Sequence, residues 1–312
     1  MSGEDDAATR VLAVRARATQ PAEMKLSDSL RSAARDEFVY VGRNGEVRPA
    51  WRYKVGRAVA LSTAGGLGLA GIGLCFAVGM PWLSLLYVGA LGVVGNAWRH
   101  GERLKAAAAM VAAEQLGPAE VQLQDLAQAR TASKMVRALA WHNLGGVEMR
   151  RGNPNAALAH VQRARELLAS TRKHAAGPWP WINRFNEALL LAQVGRLGEA
   201  RSALDDLQAA PEGEYFEILR LNVRLMVAFA ANDVGLLPPD LHDWTRLALD
   251  TTSAELALTL LGWAHDRRGD EDMSSLLVEQ ALDRMDDGLF RRLYPKAHAW
   301  LVGHRPAAVT EG

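Results

Sequence analysis

The 312-residue chain has one cysteine, Cys75, and almost no net charge, with 36 basic against 35 acidic side chains. A single cysteine excludes a disulfide scaffold, a cysteine-based zinc cluster and a CxxC redox motif. The near balance of charge is not that of a protein whose main task is to coat nucleic acid. Whatever the chain does must therefore be sought in how its residues are distributed.

Charge is missing altogether from residues 58–98, although charged residues make up 23% of the chain. A single straight helix over this run would be about 60 Å long, twice the hydrocarbon thickness of a bilayer. Pro81 divides the run at a Gly79-Met80-Pro81 turn, and proline breaks a helix. The sequence predicts a transmembrane helical hairpin with spans at 58–79 and 82–98.

The residues that flank this hairpin predict its orientation. Basic side chains dominate both flanks, at 43–57 and at 99–105, so the positive-inside rule places both termini in the cytoplasm. The Ala- and Arg-rich composition is typical of a bacterium, and we expect a two-span protein of the inner membrane that contacts the lipid bilayer. The aromatic residues expected at the membrane interface are Trp51, Tyr53, Trp82 and Trp98.

Small residues recur on the first span, where Ala60, Ala64 and Gly68 lie four apart. Such spacing allows two helix backbones to approach closely in lipid. The close approach serves either to seat the two spans of the hairpin against each other or to form a homodimer.

The segment 1–57 is predicted to be cytoplasmic and partly disordered, with a short β-hairpin at 38–48. Its strands are indicated by the apolar residues around Val39 and Val47, and the Asn44-Gly45 dipeptide between them favours a tight turn.

The C-terminal part has apolar residues three and four apart, which predicts helices throughout. We expect connecting helices at 99–130, a helical repeat domain at 131–305 and a tail at 306–312. A helix over Lys105–Leu116 is expected to end at Gly117. Three turns each have a glycine followed five positions later by a small residue, in the pairs Gly152 and Ala157, Gly195 and Ala200, and Gly269 and Ser274.

The first of these pairs carries a recognisable pattern, Trp141-x2-Leu144-Gly145 followed by Ala157-x3-Val161-x2-Ala164. At these residues the chain resembles the tetratricopeptide repeat family. The last pair keeps the offsets with Leu258, Leu261, Gly262, Ser274, Val278 and Ala281. The middle pair departs from the pattern, because Arg184 and Glu187 stand where the family has large apolar residues. The resemblance implies an all-α fold, in which the hairpin precedes a tetratricopeptide-like α-solenoid of antiparallel helix pairs.

No catalytic motif accompanies this architecture. The eight histidines show no metal-ligand spacing, and Gly66, Gly68 and Gly71 spell a dinucleotide fingerprint without the strand and acidic residue that it requires. We therefore expect no cofactor, no metal, no nucleic-acid partner and no enzymatic activity.

The resemblance implies a scaffold or adaptor that binds a protein partner on a concave face lined by the first helix of each pair. The predicted lining residues are His142, Met149, Arg150, Phe185, Leu189, Trp263, Asp266 and Arg267. Two alternatives stay open. One is an accessory subunit of a larger membrane complex in which the hairpin is the working part, and the other is an enzyme with a dispersed site in the groove, in which His142 and Glu148 would take part.

Overall fold

The computed structural model describes residues 39–41, 47–49, 84–171, 177–250 and 254–305. Within these ranges the chain is helical apart from two short strands. The prediction of an all-α fold is confirmed for the C-terminal part of the chain. The first predicted span, 58–79, lies outside the described residues, as do the tail at 306–312 and most of the segment 1–57.

Strands β1 (Val39–Val41) and β2 (Val47–Pro49) pair antiparallel, with Val39 opposite Pro49 and Val41 opposite Val47. They lie in the stretch for which the sequence predicts a hairpin. The Asn44-Gly45 dipeptide falls outside the described residues.

Twelve α-helices make up the rest of the described chain, and most of them are joined as antiparallel pairs. They are α1 (Ser84–Ala112), α2 (Leu116–Gln128), α3 (Lys134–Arg150), α4 (Pro154–Ala169), α5 (Trp179–Gln193), α6 (Leu197–Asp206), α7 (Glu214–Ala231), α8 (Leu241–Asp250), α9 (Glu255–Arg267), α10 (Glu271–Arg284), α11 (Asp287–Leu293) and α12 (Pro295–Gly303). Short 3₁₀ turns at Leu207–Ala209 and Val234–Leu236 follow α6 and precede α8.

Five helices, α1, α3, α5, α7 and α9, end in the same turn geometry. At Gly152 the backbone N–H donates to the Met149 carbonyl, and the next N–H, of Asn153, donates to the Glu148 carbonyl, both at 2.9 Å. The same two bonds recur at the other four turns, and the central residue of every turn has positive φ. This pair of bonds satisfies helix-end carbonyl groups that have no partner within the helix. The five central residues are Glu114, Gly152, Gly195, Asn232 and Gly269.

These turns lie 38, 43, 37 and 37 residues apart, so the array is more regular than the three turn glycines indicate. Asn232 takes the place of a glycine in the pair α7–α8, and Glu114 does so in α1–α2. The turn at Glu114, which precedes residue 131, has the same geometry as the four turns that follow it. The expected helix end at Gly117 is wrong, because α1 ends at Ala112 and Gly117 lies inside α2.

Small residues make the close helix contacts that the repeat pattern predicts. A Cβ atom on Gly145 would lie 2.9 Å from Cγ2 of Val161 and 3.2 Å from the Ala157 carbonyl oxygen. A Cβ on Gly262 would make only ordinary van der Waals contacts, at 3.4 Å from Cη2 of Trp300 and 3.5 Å from Cβ of Leu277. The absence of a side chain on Gly145 lets the helix backbones of α3 and α4 approach closely.

Helix α1 belongs to two environments. Its C-terminal half packs into the repeat array, where Ala107 is fully buried with Leu123 and Leu126 of α2 and Leu144 of α3. Residues 92–95 and 97–99 of the same helix are exposed, and Val93 has 71% of its surface accessible. The residues of the second predicted span that the structure describes are continuous with this helix. Among the described residues, no helix combines the length and the apolar character that crossing a membrane requires.

The last helices return to the beginning of the array. The Arg292 side chain of α11 donates from Nε to the Arg150 carbonyl at 3.1 Å, across 142 residues of sequence. The same guanidinium lies 3.5 Å from the Glu114 carboxylate. The array is thus curved enough for its C-terminal end to meet the turns of its first two pairs.

Candidate functional site: a cavity inside the curved array

A cavity of about 480 Å³ opens between α7, the start of α9 and α11. Its size lies within the range of ordinary ligand pockets. Its floor and walls are mostly apolar, and five polar side chains reach it. The lining residues are Asn222, Ala254, Glu255, Leu256, Ala257, Arg284, Met285, Asp286, Leu289, Phe290, Leu293 and Tyr294.

Three of the five polar groups are placed by the fold. Asp286 is the N-cap of α11, and its Oδ1 accepts from the Leu289 N–H at 2.8 Å. Arg284 donates from NH2 to the Leu249 carbonyl at 3.0 Å and to Oε1 of Gln280 at 3.1 Å. Both side chains therefore organise the corner between α10 and α11 as well as lining the cavity.

Tyr294 is the third of these groups, and its phenol remains protonated at ordinary pH. Burial raises the pKa of Tyr294, the Glu255 carboxylate raises it further, and the Arg150 guanidinium partly offsets both effects. The phenol ring also contacts the ring of Phe290, at 5.5 Å between centroids. Tyr294 thus presents a hydrogen-bonding hydroxyl on an otherwise apolar wall.

Asn222 and Glu255 are half-buried, and their side chains have no hydrogen-bond or ion-pair partner within the described ranges. Polar groups at the wall of a cavity are usually satisfied by protein or water. These two side chains are the ones in the cavity that a bound segment can engage without breaking an existing contact.

The predicted lining residues are placed elsewhere. Two of the predicted lining residues, Phe185 and Trp263, are only 1% and 2% exposed. Phe185 stacks on Phe216 of the next pair, and Trp263 packs edge-on against Phe229. Each ring fills a gap between consecutive helix pairs, where burial of aromatic area is most favourable.

The other predicted residues stay at least partly accessible. Met149 and Leu189 are half-buried against the core, Asp266 is half-buried and Arg267 is exposed. Arg150 pairs with Glu114 and acts on the pKa of Tyr294. Arg150 thus acts electrostatically on a side chain of the cavity, although it is not among the lining residues.

His142 connects two neighbouring pairs. Asn183, which is fully buried, donates from Nδ2 to the Val161 carbonyl at 3.0 Å, so its Oδ1 accepts from Nδ1 of His142 at 2.9 Å. Asn186 then donates to Nε2 of His142 at 3.2 Å. Burial lowers the pKa of His142, and the network fixes one neutral tautomer. Both ring nitrogens are thus used to join α3 to α5.

Glu148, the second residue considered for a dispersed enzyme site, is also engaged. Its carboxylate accepts from Arg151 at 2.8 Å and from Nδ2 of Asn153 at 2.9 Å. These contacts stiffen the turn at Gly152.

A different trio has the order of a catalytic triad. Nε2 of His265 lies 3.0 Å from Oγ1 of Thr245, and its Nδ1 lies 3.3 Å from Oδ2 of Asp270. Thr245 and His265 are only 1% and 2% exposed, and Thr245 also donates to the Leu241 carbonyl. A nucleophile needs room for its substrate, and this trio is packed between α8 and α9. Its role in the described structure is to join those helices.

Three of the four predicted membrane-interface residues lie outside the described residues. They are Trp51, Tyr53 and Trp82. Trp98 lies on α1 with 42% of its surface accessible. Among the described residues no group of three or more His, Cys, Asp or Glu side chains is placed to hold a metal ion.

Sequence reasoning missed the cavity because it depends on α7 and α11. Helix α7 follows no repeat pattern at the residues that the family uses, and the return of α11 is a contact across the whole array. The Asp286-x2-Leu289 cap was the local signal that a helix begins there. Comparison with family models, with curated proteins and with solved structures gives no match to this chain.

Proposed function

We propose that this protein is a membrane-tethered scaffold whose curved helical array recruits a protein partner at the cytoplasmic face. The observation that carries the proposal is helix α1. It leaves the charge-free stretch, continues without a break to Ala112, and packs by its C-terminal half into the array. A membrane anchor of two spans and a binding domain would thus share one helix.

We also infer that the array belongs to the tetratricopeptide-like class of solenoids. The regular turn spacing and the close contact at Gly145 support this inference. Solenoids of paired helices bind extended or helical segments in their curved interior. A homodimer through the small residues of the first span belongs to the same proposal.

The cavity between α7, α9 and α11 is the proposed docking point for the partner. Its apolar walls suit an apolar side chain of the partner, and the Glu255 carboxylate and the Asn222 amide suit the hydrogen-bond donors that flank it. A half-buried charged or amide group with no partner in the protein can form a hydrogen bond with a ligand without losing one within the fold.

Surface labelling tests the membrane attachment and its orientation. We replace Cys75 by Ala and introduce Asn155→Cys at an exposed position near the Gly152 turn. A membrane-impermeant maleimide should label this cysteine in inside-out vesicles and not in intact spheroplasts. Labelling from the outer side would contradict the cytoplasmic assignment, and recovery of the full chain without membranes would contradict the tether.

Partner capture tests the cavity. The full chain is crosslinked in cells, solubilised in mild detergent, and the captured proteins are quantified for wild type, Glu255→Lys and Glu279→Lys. Glu279 is an exposed acid on α10 outside the cavity, so its reversal is a matched charge change. A partner lost with Glu255→Lys and kept with Glu279→Lys supports the cavity as docking point. Equal capture by all three proteins would contradict it.

A further inference from the structure

The end of the repeat array nearest to the charge-free stretch carries exposed cations. Arg99 lies on α1, Arg130 lies in the loop between α2 and α3, and Lys134 begins α3. All three side chains are exposed, and none has a carboxylate partner among the residues that the structure describes. We refer to these three residues as the basic edge.

Two hydrogen bonds bring the parts of the basic edge to one level. Nδ2 of Asn96 donates to the Thr131 carbonyl at 3.1 Å, and Nε2 of His100 lies 3.2 Å from Oγ1 of Thr131. The α2–α3 loop is therefore fastened to the turn of α1 that contains Arg99. That turn directly follows Trp98, the predicted interface residue.

Acidic side chains are few near the basic edge. The sequence contains no Asp or Glu between residues 58 and 101, nor between 126 and 147. The nearest acids along the chain are Glu102, three residues after Arg99 and paired with Lys105, and Asp125, five residues before Arg130 and paired with Arg103. The basic edge is thus a region of net positive charge on a chain that is nearly neutral overall.

The start of α3 shows that this charge is not placed for helix stability. The first turn of α3 contains no acidic residue, and its first residue is Lys134. A cation at a helix N-terminus opposes the helix dipole, which favours anions there. Ser133 caps the helix by accepting from the Val136 N–H at 3.2 Å, which stabilises the N-terminus of α3. The positive electrostatic potential at this exposed N-terminus attracts negative charge.

We propose that the basic edge binds the headgroups of anionic phospholipids and holds the repeat array against the membrane surface. The proposal rests on the membrane attachment proposed above. The apolar, exposed residues Val93 and Val94 lie on α1 just before Arg99, so the cations stand where a bilayer surface would begin if those valines were in lipid. Each cation near an anionic surface adds attraction that is screened by salt.

The repeat array would then be attached to the bilayer at two places. One is helix α1, and the other is the α2–α3 loop that is hydrogen-bonded to α1. Because α3 is 17 residues long, its far end at the Gly152 turn would lie about 25 Å further from the surface. The turns of the first two pairs, and the Arg292 contact that joins α11 to them, would face the cytoplasm.

Lipid-to-protein quenching tests this proposal on the full chain reconstituted in vesicles. Cys75 is replaced by Ala, and a fluorescent label is placed at Gln128→Cys, beside the basic edge, or at Asn155→Cys, at the opposite end of the α3–α4 pair. Both positions are exposed. Spin labels on the lipid headgroups act as quenchers, and vesicles are made with phosphatidylcholine alone or with phosphatidylglycerol added.

We expect quenching at Gln128→Cys to exceed that at Asn155→Cys several-fold in anionic vesicles, and to fall in neutral vesicles or at high salt. The double variant Arg130→Gln/Lys134→Gln should lower it to roughly half or less. The control Lys296→Gln/Arg305→Gln, which removes two exposed cations at the C-terminal end of the array, should leave it unchanged.

Flotation of the vesicles separates the two proposals. If the protein floats with the vesicles but the label at Gln128→Cys is quenched no more than the label at Asn155→Cys, the proposed lipid contact is wrong. The proposed membrane tether is then unaffected. Quenching that is equal in neutral and anionic vesicles also overturns the lipid contact, and points to an acidic protein or nucleic acid as the partner of these cations. Protein that fails to float overturns the tether itself.

Discussion

The helix pairs α3–α4 and α5–α6 are neighbours with the same turn geometry, but they are held together differently. The buried side chains of α3–α4 are all apolar or glycine, and its closest contact is the approach of Gly145 to Val161 and Ala157. The pair α5–α6 buries two polar side chains, Asn183 and Glu187, among its apolar ones. Glu187 occupies the repeat position that Leu144 holds in α3–α4.

The difference shows that helix-pair geometry tolerates a charge in the core if a partner is supplied from the adjoining pair. Arg165 of α4 donates to both oxygens of Glu187 at 2.9 and 3.0 Å, and Gln162 adds a contact at 3.3 Å. Arg184, the other departure from the family pattern, stays exposed and lies over the Trp181 ring at 5.3 Å. Polar contacts between pairs therefore replace apolar contacts within a pair.

The largest expected effect is a loss of stability in acid, and it arises at His265, a buried polar side chain of the pair α9–α10. Burial lowers the pKa of His265 to about 4, against 6.5 for an exposed histidine. The unfolded chain thus takes up a proton that the folded chain does not. The stability associated with neutral His265 is complete above pH 6.5 and is lost as the pH falls towards 4, by about 3 kcal/mol.

Denaturant unfolding of the full chain in detergent, followed across this pH window, measures that loss. His265→Leu, which places an apolar residue as at Leu191, should remove the His265 part of the pH dependence and leave the contributions of His142 and His160, whose pKa values are also lowered by burial. The exposed His304 supplies the control His304→Gln. An unchanged slope in His265→Leu would contradict the assignment.

Close packing in α3–α4 is tested by adding one methyl group. Gly145→Ala should lower the free energy of unfolding by about 2 kcal/mol, because the new Cβ meets Val161 at 2.9 Å and a backbone oxygen at 3.2 Å. Gly146→Ala is the matched control, since nothing lies within 4 Å of its Cβ position. The control should stabilise the helix by up to about 1 kcal/mol. Equal effects of the two changes would contradict the close approach.

The buried charge of α5–α6 is tested by breaking the pair in two ways. Arg165→Ala leaves the Glu187 carboxylate with only Gln162, and we expect a loss of about 1–2 kcal/mol in unfolding free energy, limited by the 52% exposure of Arg165. Glu187→Leu restores the apolar residue of the neighbouring pair and should stay within about 1 kcal/mol of wild type. Adding Arg165→Ala to Glu187→Leu should then cost almost nothing more, and a further full loss would refute the pairing.

The smallest effect is expected at the turns that all five pairs share. Gly195→Ala forces a side chain into the left-handed region, at a cost of about 1 kcal/mol, and its Cβ would meet no other atom within 4 Å. Asn232 already adopts this conformation at φ 51°, so Asn232→Gly should change the unfolding free energy by no more than about 0.5 kcal/mol. Thermal unfolding of the two variants compares them directly. A loss with Asn232→Gly larger than that with Gly195→Ala would show that the turns are not equivalent.

Much of the local structure was open to prediction because it depends on short spacings. The turn glycines, the crowded Gly145 and the apolar helix faces follow from residues within one pair. The turns at Glu114 and Asn232 escaped prediction because neither residue is a glycine, although asparagine tolerates the left-handed region. The basic flank at 99–105 was predicted as an orientation signal, whereas its alignment with Arg130 and Lys134 was not.

The candidate site could not be predicted in the same way. Phe185 and Trp263 were expected on a surface since an aromatic residue at a helical spacing fits a groove as well as a core. Their burial depends on the neighbouring pairs, through Phe216 and Phe229. The cavity requires α11 to return to α3, a contact that no repeat spacing encodes.

The sequence by itself determined the helical class, the close contacts within pairs and the charge-free stretch from which a membrane hairpin is predicted. Each of these depends on residue type at short separation, where helix periodicity and steric size decide. Only the tertiary structure decided the partner of Glu187, the burial of His265 and the cavity lined by Asn222 and Tyr294. Those features depend on the curvature of the whole array, because small rotations at each pair accumulate until distant helices meet.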